Sequence, residues 1–351
     1  MSNQSETPMD SLSYSYSIES YSTSIKDAYG ALFSESPEKL AELDWRFFCT
    51  PAGEAQFAIA RQPDRKIVGM IAMTPTLLRG SFGGLAAVQA IDTVVDPLAR
   101  GKFIFVRLGN LIHNSGAVSA KLVWGFPNAI AARGWFGRLG WTRSGSVPFL
   151  IKPLRTGYFL ARLWPPLKCL NFPTMIRKPV IDDTVVTEID DRWDQLWNSC
   201  VDEFGVAVDR TEHWLRWRLE KPGTNYKFAM KVGPEGAEAA VITRIVRKHG
   251  ASICYIMEAL STPKHHKSLN KLLSNELRRA AQDGADLALA WCPDFARNRS
   301  DYARVGFRGF PDRFRPIEIH FGGRWLSSDQ DRETGFPGEK WYLSYLDSDT
   351  V

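Results

Sequence analysis

The chain has 351 residues, a formal net charge of +5 and 44% hydrophobic residues, enough for two domains that each bury a core. No run approaches the roughly 20 uninterrupted apolar residues of a bilayer span, and the polar start MSNQSETPMD has no basic-then-apolar signal pattern. The expectation is a cytoplasmic protein with no stable membrane association. Its charge is mild and lacks a basic run that would track a nucleic-acid backbone, so the expected partner is an anionic small molecule and not nucleic acid. The five cysteines (Cys49, Cys169, Cys200, Cys254, Cys292) are odd in number and contain no C-x-x-C pair, which argues against a disulfide framework or a zinc knuckle. No metal is expected.

In chain order, FAIA (57–60), VGMIAM (68–73) and AAVQAIDTVV (86–95) are predicted strands bounded by Gly and Pro. Ile104, Leu108, Leu111 and Ile112 then recur at helical spacing on one stripe. KLVWGF is a strand, NAIAARGWFGRL a short helix, and a closing strand follows. The stretch 153–183 is proline-rich without a clean period and is the expected linker. Its YFLARLWPPL core has the composition of a membrane-surface patch, but between two domains a packed connector is the preferred reading. Beyond it, Leu269, Leu272, Leu273 and Leu277 form a second helical stripe, followed by the strand DLALAW and the helix DFARNRSDYARV. The fold class is therefore α/β, mixed sheets with flanking helices, in two tandem modules: 14–155 and 185–351 about a linker at 156–184.

The second half echoes the first. Pro97 and Pro263, Pro127 and Pro293, and Gly140 and Gly306 are all separated by the same interval. The alignment sets AIDTVVDP against IMEALSTP, pairing Asp92 with Glu258, and WFGRLGW against DYARVGF, pairing Phe136 with Tyr302. Upstream, LDWRFF echoes LRWRLE at a slightly longer interval, which fits a longer hairpin around TPTLLRGSFGG in the first copy, since loops absorb insertions cheaply.

A strand, a basic turn and a helix (VVDPLARGKFIF), then a strand ending in GFPN and a helix ending in LGW, resemble the GNAT superfamily of acyl-CoA-dependent N-acyltransferases. The resemblance covers both halves. The combination DTVVDP…RGK…GFPN…LGW is similar to tandem acyltransferases acting on nucleotide-linked amino sugars of bacterial surface polysaccharides. It implies acyl-CoA as co-substrate, with an acetyl or a short or hydroxylated acyl group, and the amine of a small acceptor. It also implies cofactor contacts at Val94, Val95, Arg100, Gly101, Lys102, Phe103, Ile104 and Asn128. A pyrophosphate suits such a turn because the first N–H groups of a helix lack partners and the helix dipole adds positive charge. Phe103 stands where the family most often has glycine and is the residue placed to crowd the phosphates, whereas Phe105 is expected in the apolar face of the helix. The equivalent turn in copy two, PKHHKSLNK, has no glycine, so its His265, His266 and Lys267 look like a degenerate site and copy one is the expected cofactor half.

Acyl transfer to an amine needs a free amine, a polarised carbonyl and a proton for the departing thiolate. Asp92 is the candidate proton acceptor or amine-binding carboxylate; pairing with an arginine is its structural alternative. Glu258 holds the equivalent position, and Tyr302 stands where many family members keep a proton-donating tyrosine, so both are candidate catalytic residues if copy two is active. Backbone N–H groups from Val94 to Asp96 are the expected oxyanion donors. Asn128 either contacts the pantetheine arm or caps the helix behind it. His113 is expected to be solvated, and Trp124, Trp135 and Trp141 are expected near the cleft. A non-catalytic binding module and an aminoacyl-tRNA-dependent transferase are the alternative functions.

Overall fold

In a computed structural model the described residues are 14–348, apart from 82, 115, 117, 148, 176, 312–314, 316–318 and 327–335. The first half comprises β1 (Ser15–Ser20), α1 (Thr23–Leu32), α2 (Pro37–Ala41), α3 (Leu43–Phe47), β2 (Gln56–Arg61), β3 (Ile67–Gly80), β4 (Gly83–Val95), α4 (Ile104–Asn114), β5 (Leu122–Gly125), α5 (Ala129–Gly137), β6 (Thr142–Ser146) and β7 (Phe149–Pro153). After α6 (Gly157–Leu163) come β8 (Val185–Val186), α7 (Arg192–Val201), β9 (Ala207–Val208), α8 (Glu212–Leu219), β10 (Tyr226–Gly233), β11 (Gly236–Lys248) and β12 (Ala251–Ser261). The chain continues through α9 (His266–Gln282), β13 (Leu287–Trp291), α10 (Arg299–Arg304), β14 (Arg308–Gly309) and β15 (His320–Trp325).

Two mixed sheets result, ordered β1-β2-β3-β4-β5-β15-β6, with β9 added on β3, and β8-β10-β11-β12-β13-β7-β14. Both have the same pattern of pairing: antiparallel throughout except for one parallel pair, β4/β5 in the first and β12/β13 in the second. The limits expected at 14–155 and 185–351 do not contain the sheets. β7 lies in the second sheet against β13, and β15 lies in the first between β5 and β6. Each exchanged strand fills the antiparallel slot beside the other half's parallel pair. Close packing there needs glycine: a Cβ on Gly322 would sit 2.6 Å from Phe136, and one on Gly323 would sit 2.6 Å from Phe336.

Local sequence explains the elements. β3 is buried along its first eight residues because neighbouring strands and helices enclose it, so it is apolar without alternation. Pro75 is tolerated within it because pairing with β2 ends at Met73, leaving no ladder partner for the missing N–H on that side. Ile104, Leu108 and Ile112 bury the stripe of α4 against this sheet, and Gly69 lets the helix close in, with Ile104 Cγ2 2.9 Å from where a Cβ would be. Leu269, Leu272, Leu273 and Leu277 do the same for α9. One large core cluster joins Leu122 and Trp124 of the first sheet to Trp193, Trp197 and Trp291 of the second half. Trp45 and Trp217, which the comparison of the two halves' sequences pairs, meet across the junction with ring centroids 4.8 Å apart. Each indole donates to the other residue's carbonyl, at 2.7 and 3.0 Å.

The connector departs from expectation. Its base is tied down, but Leu163, Trp164, Leu170 and Phe172 are exposed, so it is not a packed segment. No helix among the described residues is long and apolar enough to cross a membrane.

Candidate functional site

β4 and β5 pair in parallel only from Ala87–Leu122 to Gln89–Trp124. Beyond that they diverge, and Gly125 marks the point: a Cβ there would meet the Ala90 carbonyl oxygen at 2.8 Å. β4 also bulges, with Asp92 and Thr93 set against Ile71 alone, and Asp92 takes a left-handed φ of +46°. A bulge removes backbone groups from the ladder and re-aims side chains. The divergence opens a cleft of about 680 Å³ whose floor is Gln89 to Thr93. Phe126, Asn128, Trp135 and Trp141 form one wall. Lys39, Glu42 and Arg46 form the other, and Lys221, Arg244 and Lys248 of the second half form a basic lip.

Asp92 is heavily engaged. Its Oδ2 accepts from Tyr29 Oη at 2.7 Å and from Arg46 Nη1 at 3.0 Å, and its Oδ1 pairs with Lys39 Nζ. Arg46 also pairs with Glu42, whose other oxygen is 3.3 Å from Lys221 Nζ. Three cations and two carboxylates thus run from the cleft floor to the second half. At the lip, burial first and then the neighbouring Arg244 push the Lys248 ammonium down from its ordinary value.

The basic turn follows β4. Asp96 Oδ1 accepts from Leu98 N at 2.9 Å, and that N–H holds the carboxyl below its ordinary range. Gly101 has φ +82° and Phe103 φ +58°, and α4 starts at Ile104 with its side chain buried. Phe103 is therefore neither helical nor turned inward. It adopts the left-handed conformation suited to glycine and lies 63% exposed, its ring 5.7 Å from the Arg138 guanidinium. Phe105 does pack inward, edge-on to Trp135 at 5.2 Å. Arg100 is exposed, with Nε 3.3 Å from the Val95 carbonyl, and Lys102 donates to Tyr14 Oη at 2.9 Å. Val94 packs toward α1 and α3, Val95 toward α4. An exposed cationic turn at the N-terminus of an 11-residue helix fits a pyrophosphate.

Other expectations need correction. The Asp96 N–H is bonded to Val68 O at 2.8 Å, so it does not serve as an oxyanion donor. Asn128 lines the cleft yet caps α5, its Oδ1 accepting from Ile130 N and Ala131 N at 3.1 and 2.9 Å. His113 is buried and accepts from Trp141 Nε1 at 3.2 Å. Trp135 and Trp141 line the cleft, whereas Trp124 is fully buried and donates to Thr76 Oγ1 at 3.0 Å.

The equivalent region of the second sheet is filled. β12 and β13 separate after Ile256–Ala290, and Asn298 and Tyr342 occupy the gap. Asn298 Nδ2 donates to Ala259 O at 2.7 Å, and Tyr342 Oη donates to Glu258 Oε1 at 2.6 Å. Glu258 is fully buried and its Oε2 is 3.2 Å from Arg210 Nε. Tyr302 is also buried, packed edge-on to Phe307, and burial raises its pKa well above the ordinary value. Glu258 and Tyr302 do not line the open cleft with Asp92. The second turn is closed as well: Nδ1 of His266 lies 2.8 Å from Asp301, and that of His265 lies 2.7 Å from Thr262. Arg210 continues from Glu258 to Asp347, at 2.7 and 2.9 Å, and the Asp347 carbonyl accepts from Gln89 Nε2 at 2.9 Å on the cleft floor.

No family model matches the sequence, and no curated protein matches it. Solved structures match across nearly the whole chain. A probable N-acyltransferase from Enterococcus faecalis V583 superposes with a TM-score of 0.60 at 13% identity, over 90% of this chain and 73% of that one. N-myristoyltransferase of Saccharomyces cerevisiae with bound myristoyl-CoA gives 0.56 at 11%, over 91% and 80%. A GCN5-related N-acetyltransferase from Anabaena variabilis ATCC 29413 gives 0.61 at 10%, over 89% and 73%. The chain has the GNAT fold. Within it, sequence reasoning missed the cations Lys39, Arg46, Lys221, Arg244 and Lys248 and the buried pair Arg210–Asp347. One signal was present: the Trp-Arg dipeptide recurs as Trp45-Arg46 and Trp217-Arg218, and both arginines reach the cleft region, Arg218 by donating to the carbonyls of Leu346 and Ser348 at 2.8 and 2.7 Å.

Proposed function

We propose that the protein is an acyl-CoA-dependent N-acyltransferase whose reacting centre is the open cleft of the first sheet. The observation that carries this reading is the contrast between the two sheets: the same order of antiparallel and parallel pairing along the main path, one divergence open beside an exposed cationic turn, the other filled by Tyr342 and Asn298. Acyl-CoA supplies an activated acyl group. Arg100, Lys102 and the first turn of α4 hold its phosphates, and backbone at the Asp92–Thr93 bulge faces the thioester carbonyl. The acceptor's nitrogen attacks directly; the C–N bond forms, the C–S bond breaks, the nitrogen loses a proton and the thiolate gains one. Both oxygens of Asp92 already accept from Tyr29, Arg46 and Lys39, and a proton taken there would have to displace a donor. That geometry favours a positioning role, in which Asp92 fixes Lys39 and Arg46 at the cleft wall. The lip formed by Lys221, Arg244 and Lys248 favours an anionic acceptor such as a nucleotide-linked amino sugar.

The test is thiol release from acetyl-CoA and hydroxyacyl-CoAs with a panel of amines, nucleotide-linked amino sugars among them. Turnover with an anionic amino sugar, lost more than tenfold in kcat/KM when Arg244 and Lys248 are changed to Gln, is the expected result. Saturable CoA binding without thiol release for any amine would make the protein a binding module.

A further inference from the structure

Residues 157–171 leave and rejoin the fold at one point. The Thr156 N–H donates to Phe172 O at 3.0 Å, and the Phe172 N–H donates to Thr156 Oγ1 at 2.9 Å. Asn171 Oδ1 accepts from Arg155 Nε at 3.1 Å and from Gly157 N at 3.2 Å. Ends held this way define a compact Ω-loop. What the loop holds outward is apolar: Leu163 is 80% exposed, Trp164 61%, Leu170 42% and Phe172 62%. Val180 and Ile181 follow at 62% and 87%, and there the backbone is clamped on both sides, with Val180 N donating to Asn275 Oδ1 at 2.7 Å and Asn275 Nδ2 to Val180 O at 2.9 Å. Half of the 12 exposed large hydrophobic residues among the described residues lie in this one stretch, so their exposure is a local feature and not the scatter normal on any surface.

Charge indicates what covers them. From Pro97 to Ile181 the sequence contains no Asp or Glu, while Arg162, Lys168, Arg177 and Lys178 fall inside the connector. Arg155 Nη1 donates to Ala281 O of α9 at 3.3 Å, so both ends of the connector are fastened to that helix. α9 contributes Lys271 and Arg278 to a depression shared with Arg177 and Val180. Asp182, at its margin, is taken by Lys231 at 2.7 Å. A second copy seated on the same patch would set these cations against each other. We propose that the connector is a reversible docking element for the surface of an anionic phospholipid bilayer. Trp164 and the leucines enter the headgroup boundary and the cations meet anionic headgroups, an interfacial and not a spanning association. This inference does not depend on the acyl-transfer reading.

The experiment is co-sedimentation of the full chain with vesicles of phosphatidylcholine alone or with about one third phosphatidylglycerol, at low and high salt. Binding to the anionic vesicles, weakened by salt, is expected. Leu163→Ser with Trp164→Ser should reduce it by about tenfold or more, and Lys168→Gln with Lys178→Gln by roughly thirtyfold, near fivefold per cation. These exposed substitutions should leave the melting temperature unchanged, which separates lost docking from lost folding. Brominated lipid should quench part of the tryptophan emission, and Trp164→Phe should remove that part. Absence of binding to the anionic vesicles, or binding by either double variant equal to that of the parent chain, overturns the proposal. So does a dimer at sedimentation equilibrium that the Leu163→Ser, Trp164→Ser variant dissolves, which would assign the patch to a second copy.

Discussion

Asp92→Asn separates positioning from proton acceptance. Asparagine keeps the size of the side chain and tolerates the left-handed φ of +46°, so the bulge survives. What is lost is a negative charge between two cations. Arg46 is nearly buried and keeps Glu42 as its other partner, whereas Lys39, with a side chain about 30% exposed, swings toward water. Charge-assisted hydrogen bonds contribute about 1.5–3 kcal/mol each. Discounting the solvent-screened lysine, the expected loss is about 2–3 kcal/mol, seen as a lower urea midpoint with an unchanged slope. Turnover should fall by roughly 10²-fold or more as Lys39 and Arg46 lose their fixed places. The deciding measurement is kcat/KM against pH. A positioning residue lowers the profile by one factor and leaves its acidic limb where the acceptor amine's own titration puts it. A limb that flattens in the variant would show that Asp92 takes the proton, and the positioning argument would be wrong.

Arg100→Ala should weaken acyl-CoA binding by about 1.5–3 kcal/mol, while His266→Ala, at the closed turn, should leave it unchanged; titration calorimetry reads both, and the reverse pattern would move the cofactor to the second sheet. Phe103→Gly removes a left-handed non-glycine residue costing roughly 1 kcal/mol and adds a similar unfolded-state entropy, so stability should stay within about 1 kcal/mol of the parent and CoA binding should not weaken. Burial raises the Asp347 carboxyl to about 6, above its ordinary unfolded value near ~3.9. The native state therefore binds more protons between those values: the stability this group contributes is fully present below about 4 and is lost as pH rises through 6. Unfolding free energy measured across that window should show this downward slope, and Asp347→Asn should remove it.

Parts of this architecture are written in short stretches of sequence. The apolar spacing of α4 and α9 gives their buried faces directly, because helix period and burial are the same constraint. The repeat alignment also brings Trp45 and Trp217 together on paper, and the molecule stacks them. The exchange of β7 and β15 is not legible in the same way. A strand's alternation says which face is buried but not which sheet supplies its neighbours. The cleft cations were hidden for a related reason: Lys39 and Lys221 carry no motif, Arg46 carries only the repeated Trp-Arg dipeptide, and the three meet because α2, α3 and the turn after α8 converge on Asp92 and Glu42. At Phe103 the sequence shows a residue where glycine is usual but not how the turn accommodates it: the backbone takes a positive φ that points the ring outward.

The filled divergence of the second sheet has a structural task. Tyr342 shares the gap between β12 and β13 with Asn298 and bonds Glu258 there, and that bond anchors the segment from Trp341 to Ser348 in the core. From there Arg210 grips Asp347, Arg218 grips the carbonyls of Leu346 and Ser348, and Gln89 reaches the Asp347 carbonyl from the floor of the first cleft. An open second cleft would release Tyr342 and, with it, the chain that lies beneath the first. A continuous bonded path, Tyr342–Glu258–Arg210–Asp347–Gln89, thus links the filled divergence to the floor of the open one, with Glu258, Arg210 and Asp347 buried along it. A fully buried ion network is costly in desolvation, so its place between the two clefts fits a role in fixing their relative geometry better than a role in stability alone.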